Sequence, residues 1–195
     1  MGLVAYDVQP VTADRWDDLR AFFGPSGAYS GCWCTFWRIP RRDFEEGCRD
    51  GAAGNRTVMR RLTSEGSVPG LLAYEADRPV GWVTVGPRRA YPVLGRSPTL
   101  KPTDPDEPGV WLVPCFWVPR AWRGKGVATA LLAAAVEYAD ARGAAVVEGY
   151  PVQVDGRLPP ADAYTGTTRL FRRAGFRVHR RPPRGRRVVM RRRIS

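Results

Sequence analysis

The sequence predicts a mixed α/β domain whose central sheet is mostly antiparallel and is flanked by helices. One observation is an apolar run, an amphipathic helical pattern and a second apolar run, which together are typical of a parallel strand–helix–strand unit. Another is a pair of apolar runs around a short turn, which predicts an antiparallel hairpin. The third is a pair of short strands after the last helix. These segments are 110–118, 124–142 and 145–152 for the unit, 69–75 and 80–86 for the hairpin, and 176–181 and 187–191 for the last strands.

The N-terminal third predicts one strand followed by helices. Residues 3–10 alternate between apolar and polar side chains, as a strand does. Thr12 is a candidate N-cap for a first helix, whose apolar residues recur at helical spacing. Residues 24–40 are rich in glycine and aromatic residues, which favours a loop. Residues 41–65 then predict one or two helices, with a break at Gly51.

The rest of the chain predicts a long loop, the parallel unit and a last helix. Residues 87–109 carry several prolines and charges and favour a loop, and loops of this length are often functional. Pro114 interrupts the apolar run 110–118. Because proline has no N–H to donate, it implies a β-bulge or a sheet edge at that point. A last helix is predicted over 164–173.

Composition limits the class of protein. With 195 residues, of which 44% are hydrophobic, the chain suits a single domain, 1–195, with its own core. No run of about 18 apolar residues predicts a membrane span, and the N-terminus carries polar and acidic residues too early for a secretory signal. We therefore expect a cytoplasmic protein with reduced cysteines. Cys32 and Cys34 form a C-x-C, but the sequence supplies only His179 as a histidine, and we expect no metal site.

The formal net charge is +12, and almost all of the cations are arginines. Such a charge predicts attraction to polyanions, among them coenzyme A, acidic metabolites and RNA. Nine arginines and no acid lie between Arg177 and Arg193. This tail is either a pair of solvated strands or a nucleic-acid surface. We favour the strands, because no aromatic residues for base stacking are interleaved there.

Residues 115–132 carry the most informative pattern. A buried strand ends at Val118, and a helix begins within 123–128, where the sequence is Arg-Gly-Lys-Gly-Val-Ala. The first amides of a helix have no partner in the helix, and the helix dipole adds positive charge, so this junction predicts a site for a pyrophosphate. A Walker loop does not fit, because Lys125 is followed by glycine. A dinucleotide fingerprint does not fit either, because Thr129 occupies its last small position.

The same segment resembles the cofactor motif of the GNAT superfamily of acyl-CoA N-acyltransferases, [RQ]-x-x-G-x-[GA]. A second resemblance is the A-G-F entry into the next strand, at 174–176 after the last helix. The segments CWCTFWR, VPGLLAYEADRPVGWVTVGPR and VVEGYPV are similar to a bacterial subgroup of that superfamily. The resemblance covers nearly the whole chain. It implies a GNAT-like sheet in which strands 110–118 and 145–152 are parallel and splay apart.

The resemblance also implies roles for residues. The backbone of Phe116, Trp117 and Val118 would bind the pantetheine arm of acetyl-CoA, with one amide near Phe116 or Trp117 acting as the oxyanion donor. The acceptor pocket would lie against the loop between the first two helices. Pyrophosphate binding is expected from Arg123, Gly124, Lys125, Gly126, Val127, Ala128 and Thr129, and the acceptor wall is expected from Trp33, Phe36 and Trp37.

Two usual catalytic residues of the superfamily are replaced in this chain. Phe171 stands where a tyrosine often precedes the A-G-F glycine, and Trp111 and Leu112 stand where a glutamate often begins the cofactor strand. The nearest substitutes are Glu148, Tyr150 and Tyr164. Glu148 is either a general base or the partner of an arginine. Tyr150 is either a site residue or a core aromatic. Tyr164 either donates a proton to the thiolate or packs beneath the cofactor.

Cys115 is a candidate nucleophile, but no histidine lies near it, which favours a buried apolar role. We expect an N-acetyltransferase that transfers acetyl from acetyl-CoA to a primary amine of a small molecule by direct attack. The alternatives are an acceptor amine on an acidic, RNA-linked or protein-linked substrate, and a non-catalytic acyl-CoA- or RNA-binding protein. We expect no membrane partner, and a monomer or homodimer.

Overall fold

The structure, a computed structural model, describes residues 6–153 and 164–194. It contains one seven-stranded sheet with helices on both faces. The strands are β1 (Asp7–Pro10), β2 (Gly70–Glu75), β3 (Arg78–Pro87), β4 (Val110–Trp117), β5 (Val146–Gly149), β6 (Arg177–Arg180) and β7 (Val189–Arg193). The helices are α1 (Trp16–Phe23), α2 (Arg41–Gly47), α3 (Ala53–Ser64), α4 (Pro92–Gly95), α5 (Val127–Asp140) and α6 (Thr168–Arg173), with short 3-10 turns between some of them.

The predicted fold class is confirmed. The sheet order is β1-β2-β3-β4-β5-β7-β6. All neighbouring strands are antiparallel except β4 and β5, which α5 connects as a parallel pair. Among the described residues, no helix has the length and apolar character that a membrane crossing requires.

Two helix boundaries differ from the prediction because of glycines. The helix expected from residue 124 begins at Val127, since Gly124 and Gly126 have φ of 77° and 89°. The helix expected from residue 164 begins at Thr168, after Gly166 at φ 76°. Positive φ is incompatible with a right-handed helix, so the chain turns at each glycine before the helix begins.

Three other local predictions are corrected. Thr12 caps no helix, because its hydroxyl donates to the carboxylate of Asp14 and the chain first forms a 3-10 turn, Ala13–Arg15. The loop 87–109 contains a 3-10 turn and α4, and the ring of Tyr91 in this loop is buried in the core. The strand expected over 145–152 ends at Gly149, and Val152 forms only isolated bridges, one parallel to Thr167 and one antiparallel to Arg187.

The bulge implied by Pro114 is present in β4. Thr84 of β3 lies opposite Cys115 and Gly86 lies opposite Leu112, so β4 has one extra residue in this interval. The extra residue changes the alternation of side chains. Val113 and Phe116 therefore both pack in the core beneath α5 and α6, although they are three residues apart.

The core is divided by the sheet. On one face, the apolar side of α5 and Phe171 of α6 pack on the central strands. On the other face, α1, α3 and the loop 24–40 pack around Trp33 and Trp82, and the loop before β4 packs around Tyr91 and Tyr150. The site described next opens where β4 and β5 stop pairing, between these two layers.

Candidate active site

A cavity of about 1190 Å³ opens beside the second half of β4. Its wall is formed by four segments: the loop 24–40, the end of β4, the start of α5, and the turn before α6. Nine of the ten predicted cofactor residues line it, namely Phe116, Trp117, Val118, Arg123, Gly124, Gly126, Val127, Ala128 and Thr129. Lys125 does not line it and instead places its ammonium 4.7 Å from the ring centre of Trp122.

The start of α5 is an open anion site. No side chain among the described residues caps this helix. Residues 124–128 have no hydrogen-bond acceptor for their main-chain N–H groups in the described part of the chain. A Cβ built on Gly124 or Gly126 would meet no atom within 4 Å, so the backbone is accessible from outside. The turn itself is fixed, because the Tyr6 hydroxyl donates to the Lys125 carbonyl at 3.0 Å and Arg123 donates to the Val118 carbonyl at 3.0 Å. These amides and the helix dipole suit a pyrophosphate.

The edge of β4 beyond the bulge is also open. The pairing of β4 with β5 covers Val110 to Val113, and from Cys115 onwards the described residues pair β4 only with β3. The main-chain groups on the other side of Phe116 and Trp117 therefore face the cavity without a neighbouring strand. An extended ligand with amide groups can bind such an edge as an added strand does.

Aromatic residues form the wall opposite this edge. The ring centres of Phe36 and Trp37 are 4.7 Å apart, and those of Phe36 and Phe44 are 5.2 Å apart, both edge to face. All three residues line the cavity. Phe44, at this wall, was not predicted from the sequence.

Trp33, which was expected in this wall, lies elsewhere. It is 1% exposed and packs between Trp16 and Phe23, in the core under α1. Its φ is 45°. The left-handed backbone turns the indole inward, so Trp33 supports the loop and does not line the cavity.

Arg38 attaches the aromatic wall to the sheet. Its Nη2 atom donates to the Pro69 carbonyl, to Thr84 and to Tyr91, at 2.8, 3.0 and 2.9 Å. Because Arg38 follows Trp37 directly, these contacts anchor the backbone of the loop next to Trp37. No signal in the sequence distinguishes this arginine from the many others.

Tyr164 lines the cavity beside Trp37 and is 36% exposed. Arg187 donates a hydrogen bond to its hydroxyl oxygen. The guanidinium of Arg187 also lies 5.7 Å from the ring centre of Trp37 and 5.2 Å from that of Tyr164. Since arginine only donates, the Tyr164 oxygen accepts, and the Tyr164 proton has no acceptor among the described residues. Arg187 does not line the cavity itself but contacts two residues that do, and no pattern in the sequence pointed to it.

Glu148 and Tyr150 are close to each other but do not line the cavity. Glu148 is 1% exposed and accepts from Arg191 Nε at 2.6 Å and from the Tyr150 hydroxyl at 2.5 Å. Arg191 also donates to Glu107 at 2.8 Å. Burial and the neighbouring Glu148 carboxylate raise the pKa of Tyr150 well above its ordinary value. The sequence left two roles open for Glu148, and the structure contains the pairing with an arginine.

Three of the four cysteines line the cavity: Cys32, Cys34 and Cys115. The Sγ atoms of Cys34 and Cys115 are 3.5 Å apart. The thiol contact with Cys115 and burial raise the pKa of Cys34 well above its ordinary value, so Cys34 is held as a neutral thiol. In the described part of the chain, no three metal-ligating side chains come together.

Phe171, at the position of the superfamily's tyrosine, is completely buried. Its ring packs edge to face on Phe116 and Phe176, with centres 6.1 and 4.9 Å away. A Cβ built on Gly149 would lie 2.1 Å from this ring. Phe171 therefore fills the space beneath the point where β4 and β5 separate, and it does not reach the cavity.

The chain matches the Acetyltransferase (GNAT) family over residues 33–157. The chain belongs to this family. The match includes β4 and the start of α5, which are the parts that form the open anion site. Comparison with curated proteins gives no significant match.

Solved GNAT acetyltransferases share this fold at low sequence identity. The PaiA N-acetyltransferase of Thermoplasma acidophilum, solved in complex with coenzyme A, is 11% identical with a TM-score of 0.54, covering 98% of this chain and 100% of that one. The ribosomal-protein-alanine N-acetyltransferase of Brucella melitensis is 15% identical with a TM-score of 0.55, covering 96% and 99%. The GNAT domain of S. lividans PAT is 19% identical with a TM-score of 0.55, covering 97% and 90%. These likenesses concern the fold, and acyl transfer in general follows from the family.

Proposed function

We propose that this protein transfers an acetyl group from acetyl-CoA to the primary amine of a small molecule. The observation that carries the proposal is that the open start of α5 and the open edge of β4 belong to one cavity. A pyrophosphate at the first would place the pantetheine arm along the second, in the direction of the aromatic wall. That a PaiA N-acetyltransferase of the same fold was solved with coenzyme A supports this choice of donor.

The transfer proceeds by direct attack with both substrates bound. The acceptor nitrogen forms a bond to the thioester carbonyl carbon, the carbon–sulfur bond breaks, and the amine proton leaves to solvent. A main-chain amide of β4 near Phe116 or Trp117 stabilises the charge that develops on the carbonyl oxygen. The departing thiolate takes a proton from Tyr164, whose hydroxyl borders the cavity and whose proton is not used by Arg187. The Tyr164 phenolate then regains a proton from solvent, which balances the proton released by the amine.

The acceptor amine enters as its neutral form in this proposal. No carboxylate lines the cavity in the described residues. Glu148 does not line the cavity and accepts hydrogen bonds from Tyr150 and Arg191. We therefore assign Glu148 and Tyr150 a positioning role for the sheet and for the buried cluster that contains Trp37. Phe36 and Trp37 form the acceptor wall.

The anion site is tested by making the same substitution separately at two glycines that flank α5, one before its start and one after its end. Gly126→Glu places a side chain and a negative charge where the pyrophosphate binds, and we expect the affinity for coenzyme A to fall at least about 100-fold, since like charges in contact cost several kcal/mol. Isothermal titration calorimetry with coenzyme A measures the effect.

Gly143→Glu is the matched control. Gly143 follows the other end of α5, has φ 76°, and a Cβ there also meets no atom within 4 Å. Both variants carry the same backbone strain and the same charge change. Equal affinities in the two variants would show that the phosphates bind elsewhere, and release of free thiol from acetyl-CoA with a panel of amines then tests the transfer itself.

A further inference from the structure

We propose that the acceptor is an aromatic α-amino carboxylate, a primary amine that carries both an aromatic ring and a carboxylate. This inference rests on the proposed function and specifies the acceptor. Two properties of the cavity support it, a wall of aromatic rings and the charge of the lining. A third observation is Arg187, which does not line the cavity itself but contacts the lining residues Trp37 and Tyr164.

The aromatic wall fits a ring better than it fits an aliphatic polar acceptor. Phe36, Trp37 and Phe44 form one continuous edge-to-face group, and Trp37 is buried in the same cluster as Tyr91, to which Arg38 donates. Cys34 and Cys115, one on the loop and one on β4, add apolar surface to the same cavity. Arrays of this kind favour another ring, because a ring presents both faces and edges to its neighbours.

The charge of the lining disfavours a second positive charge on the acceptor. The charged side chains that line the cavity in the described residues are Arg120, Arg123 and Arg173. The nearest buried carboxylate, Glu148, is already bound by Arg191. A diamine or a lysine side chain would therefore bring its second cation into an apolar space without a counterion, which is unfavourable.

Arg187 supplies a partner for a carboxylate at the acceptor end. It lies beside Trp37 and Tyr164 and so is separate from the start of α5. Its backbone bridges to Val152, which fixes it just past the point where β4 and β5 separate. Within the described residues it has no carboxylate partner, and its hydrogen bond to Tyr164 uses only one of five N–H groups. The remaining planar fork matches a carboxylate in a bidentate manner.

The first test compares four amines as acceptors by thiol release from acetyl-CoA. L-phenylalanine has the ring and the carboxylate, 2-phenylethylamine lacks the carboxylate, L-alanine lacks the ring, and 1,3-diaminopropane carries a second cation. We expect kcat/KM for L-phenylalanine to exceed each of the others at least about tenfold, since each lacks one charge-assisted or aromatic contact. A higher kcat/KM for 1,3-diaminopropane than for L-phenylalanine would overturn the inference.

The second test addresses Arg187 through a ratio, because loss of this residue also disturbs Tyr164. In Arg187→Gln, the ratio of kcat/KM for L-phenylalanine to that for 2-phenylethylamine should fall towards one, and in Arg187→Lys it should fall only in part. Arg184→Gln is the matched control, since Arg184 is an exposed arginine of the same segment and, among the described contacts, it is Arg187 and not Arg184 that contacts Trp37 and Tyr164. The ratio should stay at the wild-type value in this control. An unchanged ratio in Arg187→Gln would mean that Arg187 only holds Tyr164, and the carboxylate assignment would be wrong.

A binding measurement separates this inference from the proposed function. L-phenylalanine is titrated by calorimetry into the full chain saturated with coenzyme A. Saturable binding without any turnover would support the acceptor class while contradicting the transferase proposal. Turnover of other amines, together with no binding of L-phenylalanine, would support the transferase proposal and overturn the acceptor class.

Discussion

At the scale of single residues, the environment of a side chain decides its role more than its identity does. Glu148 is a carboxylate inside an apolar strand, and such a group is unfavourable unless it is paired. It has two partners, Arg191 and Tyr150. Tyr164, by contrast, lines the cavity, and its hydroxyl proton has no acceptor in the described part of the chain. The sequence made both residues candidates for proton transfer, Glu148 as the general base and Tyr164 as the donor to the thiolate, and their surroundings differ.

Glu148→Gln should mainly reduce stability. The substitution leaves Arg191 with Glu107 as its only carboxylate partner among the described residues, and breaking a buried pair typically costs about 3–5 kcal/mol. Urea unfolding gives the change in the free energy of unfolding, and thiol release measured on the folded fraction gives the turnover. Tyr150→Phe serves as the milder companion, at about 1.5–3 kcal/mol for one lost hydrogen bond to a charged group. Loss of turnover at unchanged stability would instead assign Glu148 to the reaction.

The thiols of the cavity should react slowly in the folded protein. The hydrogen bond with Cys34 and burial raise the pKa of Cys32, and the contact with Cys115 and burial raise the pKa of Cys34. A raised pKa means less thiolate at any given pH, and the thiolate is the reactive form. Alkylation by iodoacetamide at pH 8 should therefore be at least about tenfold slower than in the unfolded chain and should accelerate as the pH rises. Peptide mapping by mass spectrometry reads each site, and rapid labelling of Cys34 in the native state would contradict the structure.

At the scale of elements, the site depends on where β4 and β5 stop pairing. The bulge at Pro114 shifts the alternation of β4, β5 ends at Gly149, and Phe171 fills the space beneath. Gly149 must be a glycine, because a Cβ there would lie 2.1 Å from the Phe171 ring. The separation of the strands is thus maintained by close packing on one side, while the other side remains open as the cavity.

Gly149→Ala should therefore destabilise the protein by about 1–3 kcal/mol, the usual cost of overpacking a core. The Phe171 ring has to move, and it contacts Phe116 on the cofactor strand, so the affinity for coenzyme A should also fall. Gly95→Ala is the matched control, since Gly95 lies in α4 and a Cβ there meets no atom within 4 Å. Urea denaturation of the two variants measures the difference, and equal midpoints would show that the Phe171 ring has room to adjust.

At the scale of the whole molecule, the net charge of +12 creates a positive field around the cavity. Exposed arginines are distributed over many elements, and three of them, Arg120, Arg123 and Arg173, line the cavity itself. Such a field attracts anionic ligands and weakens as salt shortens the range of the interaction.

The affinity for coenzyme A should therefore fall as the salt concentration rises. Between about 50 and 500 mM NaCl the Debye length shortens from roughly 14 to 4 Å, so charges outside the site no longer contribute. Calorimetric titration at several salt concentrations gives the slope. Pantetheine, which has the same arm without phosphates, is the control and should bind with little dependence on salt. Equal slopes for the two ligands would contradict an anion site at α5.

The sequence by itself determined the fold class, the parallel unit, the bulge at Pro114 and the family, because each depends on local patterns of apolar residues, glycine and proline. It also located nine of the residues that line the cavity, since a strand followed by a glycine-rich helix start constrains its own geometry. Only the tertiary structure decided that Trp33 is a core residue, that Glu148 is bound by Arg191, and that Arg187 reaches Trp37 and Tyr164. These facts depend on contacts between segments up to 150 residues apart in the chain, and no local pattern specifies which of many arginines meets a given carboxylate or ring.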